Sequence, residues 1–332
     1  MKVAVFSSKP YDIRFFSQAT QSQHQFTFLE PHLNAQTAAL SQGHDAVCCF
    51  VNDSVDRPTL EQLHKHGISL VALRCAGFNN VDLPAAVELG ITVARVPEYS
   101  PFAVAEHAVA LILGLNRNSH RAYNRVREND YSLHGLLGFD VHGKTVGVIG
   151  TGKIGQAFIR IMHGFGCRVI CYDPYPSEAA VTAGAEYVEL DELWAHSDII
   201  SLHCPLVAST RHIINKDTLA KMKHGVMVIN TSRGALINTS DVITSLKTGA
   251  VGYLGLDVYE EEADLFFEDN SDDILRDDVF ARLLTFRNVL ITGHQAFFTK
   301  EALQAITAVT LANLDAFERS DLSALHQVLP PA

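Results

Sequence analysis

The 332 residues predict an α/β protein made of two doubly wound parallel-sheet domains. Three observations carry that reading. Residues 1–100 alternate short apolar runs with helical segments, a glycine fingerprint between a strand and a helix fills 145–173, and strand–helix alternation resumes after it. Strict alternation implies parallel strands covered by helices on both faces.

In the first hundred residues, the apolar runs Val3–Ser7, Gln25–Leu29, Ala46–Val51, Leu70–Cys75 and Thr92–Val96 fit parallel strands. Helical periodicity marks Tyr11–Ala19, Gln36–Gln42, Leu60–His66 and Leu83–Glu88, with Gly43, Gly67 and Gly90 as stops. The first strand runs into Ser7-Ser8-Lys9-Pro10 instead of a glycine turn, so this half is predicted to be a scaffold or substrate domain. Pro97-Glu-Tyr-Ser-Pro101 reads as a linker. Ala103–Asn118 reads as an apolar helix buried between domains or between subunits.

After a polar passage, Arg121–His134, the β-branched run Thr145–Ile149 suits a strand buried on both faces. Gly150, Gly152 and Gly155 follow in the spacing G-x-G-x-x-G, and Ile154, Phe158, Ile161, Met162 and Phe165 fall at helical spacing. A second strand, Cys167–Tyr172, ends in Asp173, 18 positions after Gly155. Gly150 permits the tight turn. Gly152 lets the backbone approach a pyrophosphate at the helix N-terminus, which Lys153 and Ile154 open. Gly155 lets helix and strand pack closely, and Asp173 can accept hydrogen bonds from a ribose diol. Asp173 repels a 2′-phosphate, and Pro174-Tyr175 offers no arginine to receive one, so NAD is favoured over NADP.

Further strands are predicted at Tyr187–Leu190, Ile199–Leu202, Val226–Asn230, Gly252–Asp257 and Val289–Ile291, and helices at Asp191–His196, Lys216–Met222, Ser240–Thr248 and Glu301–Arg319. The stretch Glu260–Asp278 breaks the rhythm with ten acids. All but one of these acids read as a solvated surface excursion. They lack the D-x-[DN]-x-[DN]-G spacing of a calcium loop, and no metal site is predicted.

Composition narrows the function. A net charge of −11 argues against nucleic acid and anionic membranes, which require clustered Lys and Arg. Six cysteines (48, 49, 75, 167, 171 and 204) lie in apolar runs without a C-x-x-C pair, the usage of a reducing compartment. The chain opens on the strand-like Lys2–Phe6, and no apolar segment approaches a membrane span, so a soluble cytoplasmic protein is expected.

A dinucleotide domain binds but does not choose a reaction. Hydride transfer to a carbonyl also needs a proton donor and a clamp for the substrate. Arg233, in Asn230-Thr-Ser-Arg-Gly234, follows an apolar strand and lies where open α/β sheets bind ligands. Its planar fork suits a carboxylate, although a surface arginine in a turn reads the same way. His294, one of 16 histidines, directly follows Val289–Ile291. Glu262 begins the acidic excursion, and a carboxylate beside a histidine favours the charged imidazolium. Spacing does not select Glu262 from its neighbours.

Over nearly its full length the chain resembles the D-isomer-specific 2-hydroxyacid dehydrogenases, most closely their lactate-forming bacterial members. The matching text is Arg74-Cys-Ala-Gly-Phe-Asn-Asn-Val-Asp82, Val96-Pro-Glu-Tyr-Ser-Pro101 with Ala105-Glu-His107, and Thr145–Asp173. It continues through His203-Cys-Pro205, Asn230-Thr-Ser-Arg-Gly-Ala235, Gly255-Leu-Asp-Val-Tyr-Glu260 and Gly293-His-Gln-Ala-Phe297. The resemblance implies a Rossmann NAD-binding domain (101–297) inserted into a flavodoxin-like substrate domain (1–100 and 298–332). It implies a catalytic set of Arg233, Glu262 and His294. Asp173, His203, Cys204, Pro205, Thr231, Ser232, Arg233 and Asp257 would surround the cofactor. The backbone of Cys75, Ala76 and Gly77 would hold the substrate carboxylate, with Tyr99 closing on it and Phe297 and Phe298 beside it.

The implied reaction is reversible reduction of pyruvate to (R)-lactate with NADH by a homo-oligomer, dimer or tetramer. Glyoxylate, hydroxypyruvate or a branched-chain 2-oxoacid is the alternative substrate, and a non-catalytic NAD(H)-sensing protein the alternative class. Two positions depart from the family pattern. Phe102 replaces a polar residue, and Gly293 replaces the proline before the family histidine, which implies a looser loop.

Overall fold

The structure is a computed structural model that describes residues 1–19, 23–262 and 265–330. The chain divides into two compact units, Met1–Ser100 with Thr299–Ala332, and Pro101–Phe298.

The first unit contains β1 (Lys2–Val5), α1 (Pro10–Gln18), β2 (Gln25–Phe28), β3 (Ala46–Cys49), α2 (Arg57–Lys65), β4 (Leu70–Leu73), α3 (Leu83–Glu88) and β5 (Thr92–Ala94). The strands form a parallel sheet of order β2-β1-β3-β4-β5. β3 and β4 are buried at every position, so their sequences AVCC and LVAL do not alternate. Asp56 and Asp82 cap α2 and α3, each accepting a backbone amide, with proline in the first turn. The C-terminal helix Lys300–Glu318 packs on α1 and β4. The helix expected at Gln36–Gln42 shrinks to a 3-10 turn, Ala38–Ser41. The Asn34 carboxamide takes the amides of Gln36 and Thr37, and such local bonds compete with a regular helix.

The second unit opens with α4 (Pro101–Arg117) and α5 (Ser119–Arg127), then β6 (Thr145–Ile149), α6 (Lys153–Gly164), β7 (Arg168–Tyr172), α7 (Glu178–Thr182), β8 (Ala185–Tyr187), α8 (Leu190–His196) and β9 (Ile199–Leu202). It continues with α9 (Lys216–Leu219), β10 (Val226–Asn230), α10 (Thr239–Thr248), β11 (Val251–Leu256), α11 (Asp278–Leu284) and β12 (Val289–Ile291). Its parallel sheet has the order β12-β11-β10-β9-β6-β7-β8. The order reverses at β6, which pairs with β7 on one side and β9 on the other. The crevice beyond the carboxyl ends at such a reversal is where open α/β sheets take ligands.

Three expectations need correction here. The strand placed at Tyr187–Leu190 lies earlier, at Ala185–Tyr187, because α8 already starts at Leu190. The polar passage after residue 120 contains α5, which starts behind left-handed Asn118 and buries no residue. The apolar α4 is covered inside its own unit: it packs on α6, β10, β11 and β12, and its buried face joins the core of β6 and α6. No second subunit is needed to explain its composition.

Candidate active site

The glycine fingerprint folds as a strand, a turn and a helix. Gly150 has φ +97, and a Cβ there would meet the Cys204 nitrogen at 2.5 Å, so only glycine fits both the backbone and the space. A Cβ at Gly155 would collide with the Gly150 carbonyl oxygen. Gly152 is different: it is the N-cap of α6, and nothing lies within 4 Å of its Cβ position. Gly152 brings no side chain to cap α6, which leaves the positive end of the helix open to an anion. At the end of β7, Asp173 accepts the Thr151 amide (2.8 Å) and the Tyr175 amide (2.9 Å), which fixes its carboxylate beside the turn.

The next two strands complete the cradle. The His203 amide donates to Ile149 O (2.7 Å), its Nε2 meets Ser201 Oγ at 2.9 Å, and its ring lies 4.8 Å from that of Phe158. Burial pushes His203 down to about 3 and Cys204 up to about 11, so both are neutral near pH 7. Pro205 is exposed after them. Ser232 Oγ donates to Cys204 O (2.7 Å), joining the ends of β9 and β10. Thr231 Oγ1 is buried without a hydrogen-bond partner. Such an orphaned atom at a ligand-binding edge fits a missing ligand group.

Asn230 shapes the turn that carries Arg233, accepting the Ser232 amide (3.0 Å) and donating to Arg233 O (2.8 Å). The guanidinium donates once, to Ser232 O at 2.7 Å. Its other donors have no acceptor among the described residues. That leaves the fork open to a carboxylate.

Glu262 and His294 meet, with Oε1 2.9 Å from Nδ1. The other Glu262 oxygen accepts the Tyr259 amide at 2.9 Å. His294 sits at φ +53, a left-handed conformation that costs energy for a non-glycine residue. Three bonds to Asp257 hold it there: its own amide reaches the backbone oxygen, and the Gln295 and Ala296 amides reach the carboxylate (2.8, 2.9 and 2.8 Å). The loop is therefore tied down despite Gly293. Asp257, expected beside the cofactor, is wholly buried and anchors this loop from below. Phe102 is half exposed, with Arg160 5.9 Å above its ring.

The three consecutive acids separate here. Glu260 reaches His212 Nε2 at 2.7 Å and accepts the Thr239 amide at 2.8 Å, whereas Glu261 is exposed. Asp277 caps α11 and accepts the Tyr259 hydroxyl at 2.7 Å. So more than one acid of the excursion has work inside the fold, contrary to expectation. Asp264 lies outside the described residues.

Sequence reasoning missed Phe267, whose ring lies 5.3 Å from that of His294. It also passed over His107, quoted as a motif but given no role. Phe297 is buried and Phe298 half exposed at the end of this unit. In the first unit, Cys75, Ala76 and Gly77 follow β4. Cys75 Sγ reaches Gly77 O at 3.3 Å, and Arg95 donates to Ala76 O at 2.9 Å. Tyr99 is partly buried.

A model of the "D-isomer specific 2-hydroxyacid dehydrogenase, NAD binding domain" matches residues 109–296. The chain belongs to this dehydrogenase family. The D-lactate dehydrogenase of Escherichia coli is 54% identical over 97% of this chain and 98% of its own length. Among solved structures, the pyruvate reductase of Chlamydomonas reinhardtii aligns with a TM-score of 0.92 at 46% identity, covering 96% of this chain and 97% of its own. The Aquifex aeolicus D-lactate dehydrogenase, solved with NAD and lactic acid, aligns at 0.87 and 31% identity over 99% and 100% of the two chains. The cofactor of this family member is NAD. The open face of Gly152, the fixed Asp173 and the orphaned Thr231 hydroxyl fit it.

Proposed function

We propose that the chain is an NAD-dependent D-lactate dehydrogenase that reduces pyruvate to (R)-lactate reversibly. The observation that carries the chemistry is the Glu262–His294 contact at the carboxyl edge of the NAD-binding sheet. Bound NADH supplies the hydride to C2 of the 2-oxoacid. His294 supplies the proton: with Nδ1 engaged by Glu262, Nε2 is left to face the carbonyl oxygen. Glu262 holds the ring and favours its charged form. The Arg233 fork takes the substrate carboxylate and polarises the carbonyl. In lactate oxidation, neutral His294 receives the proton. Pyruvate is favoured as substrate by the names of the relatives above.

NADH oxidation across a panel of 2-oxoacids, with chiral analysis of each product, tests this reading. Pyruvate is expected to give the highest kcat/KM, and (R)-lactate only. A higher kcat/KM for glyoxylate, hydroxypyruvate or a branched-chain 2-oxoacid would reassign the substrate. NADH binding without turnover of any of them would favour a sensing protein.

We also propose a cytoplasmic homo-oligomer, dimer or tetramer. The six free, buried cysteines support a reducing compartment. With α4 accounted for, Tyr131, Leu133 and Leu137 support assembly, being 69%, 82% and 90% exposed on a single chain. Light scattering should return a multiple of 36.4 kDa.

A further inference from the structure

We propose that His107 is a positioning residue for His294, acting through Thr292 and Asp257; this rests on His294 being the proton donor. His107 sits on α4, and its Nε2 lies 2.9 Å from Thr292 Oγ1 and 3.3 Å from Asp257 Oδ1. Thr292 has one hydroxyl hydrogen, and its short bond to Asp257 Oδ1 takes it. The Thr292 oxygen therefore accepts from His107, which fixes the His107 proton on Nε2.

Asp257 is closed to solvent, and its carboxylate also receives the amides of Gln295 and Ala296. A buried carboxylate stays oriented only while its donors are in place. It is this carboxylate that grips the turn on which His294 sits in its left-handed conformation. His107, on α4, completes the donor shell at a sequence separation of 185 from Thr292. Without its Nε2–H, Thr292 loses its donor and the Asp257 shell is incomplete. The 292–296 turn can then relax towards ordinary φ values, carrying the His294 ring away from Glu262.

The test compares His107→Leu, which removes the donor, with His107→Gln, whose carboxamide can replace Nε2–H, and with Thr292→Val. For 2-oxoacid reduction, His107→Leu should lower kcat by about 10- to 100-fold, the loss expected from a slightly misplaced catalytic group, with NADH affinity unchanged. The primary isotope effect with 4-deuterated NADH should rise, because the chemical step becomes limiting. His107→Gln should recover most of kcat, and Thr292→Val should follow His107→Leu even if that variant does not fold. A second readout needs no turnover: the NMR signal of the His294 Nδ1 proton bonded to Glu262 should persist in His107→Gln and vanish in Thr292→Val. A wild type that reduces no 2-oxoacid yet shows this pattern would refute the function and uphold the positioning. An unchanged isotope effect and an unchanged Nδ1 signal in His107→Leu and Thr292→Val would overturn the proposal and reduce His107 to a packing residue.

Discussion

The carbonyl oxygen of Gly150 occupies the space that a Cβ at residue 155 would need. The obstacle is backbone, which cannot rotate away as a side chain could. Gly155→Ala should therefore displace the turn or the start of α6, destabilising the protein by about 1–3 kcal/mol, the usual cost of overpacking. Gly152→Val should behave oppositely. Its Cβ meets nothing, and its φ of −64 suits an L-residue, so the melting temperature should hold while NADH affinity collapses. Thermal melts alongside fluorescence titration with NADH separate the two. Unchanged NADH affinity in Gly152→Val would show that the turn does not approach a ligand as assigned.

His203 predicts an acid-sensitive term in stability. Burial lowers it from 6.5 to about 3 in the folded protein, while the unfolded chain titrates in the ordinary range. Its stabilising contribution is complete above pH 6.5 and is lost as pH falls towards 3, because there the unfolded state binds the extra proton. The slope is about 1.4 kcal/mol per pH unit for one proton. Replacing the histidine by glutamine should flatten the decline of unfolding free energy in that window. Parallel curves for wild type and His203→Gln between pH 6.5 and 4 would reject it.

The cysteines should be slow to react. Burial raises Cys48 and Cys171 to about 12 and Cys204 to about 11, so little thiolate forms at pH 8. A thiol reagent at that pH should titrate few groups in the native protein and all six after denaturation. Fast labelling of Cys204 in the native state would contradict its placement under the nucleotide turn.

Much of this architecture was legible because it is written locally. A β-branched run, three spaced glycines, an amphipathic segment and a terminal acid lie within 29 residues, and Thr145–Ile149 folds as read. What escaped was decided at long range. α5 has only Ala122, Tyr123 and Val126 as apolar residues in a mostly polar segment and buries none of them, so it shows no core-facing stripe of the usual length. Nothing in Glu260-Glu-Glu262 distinguishes its members. Glu260 is claimed by His212 and Thr239, 48 and 21 positions away, which leaves Glu262 to reach His294. His107 could not be linked to Thr292 before the fold brought α4 against the strand ends.

Those two glutamates give the most decisive experiment. Pyruvate reduction needs a charged His294, so its rate should fall with rising pH as the imidazolium is lost. In Glu262→Gln the side chain keeps its shape and can still accept the Nδ1 proton, but the negative charge 2.9 Å from the ring is gone. The imidazolium is then less favoured, and the fall should begin at a lower pH. Lactate oxidation, which needs the neutral ring, should gain activity at a lower pH too, so both profiles move in one direction. Glu260→Gln should leave both profiles in place and act on stability instead, since its partners are His212 and Thr239. His294→Ala should lose about 10²–10⁴-fold in turnover, the range for an absent general acid, while NADH still binds. A profile that does not move in Glu262→Gln would remove Glu262 from the proton-transfer machinery, even with His294 essential.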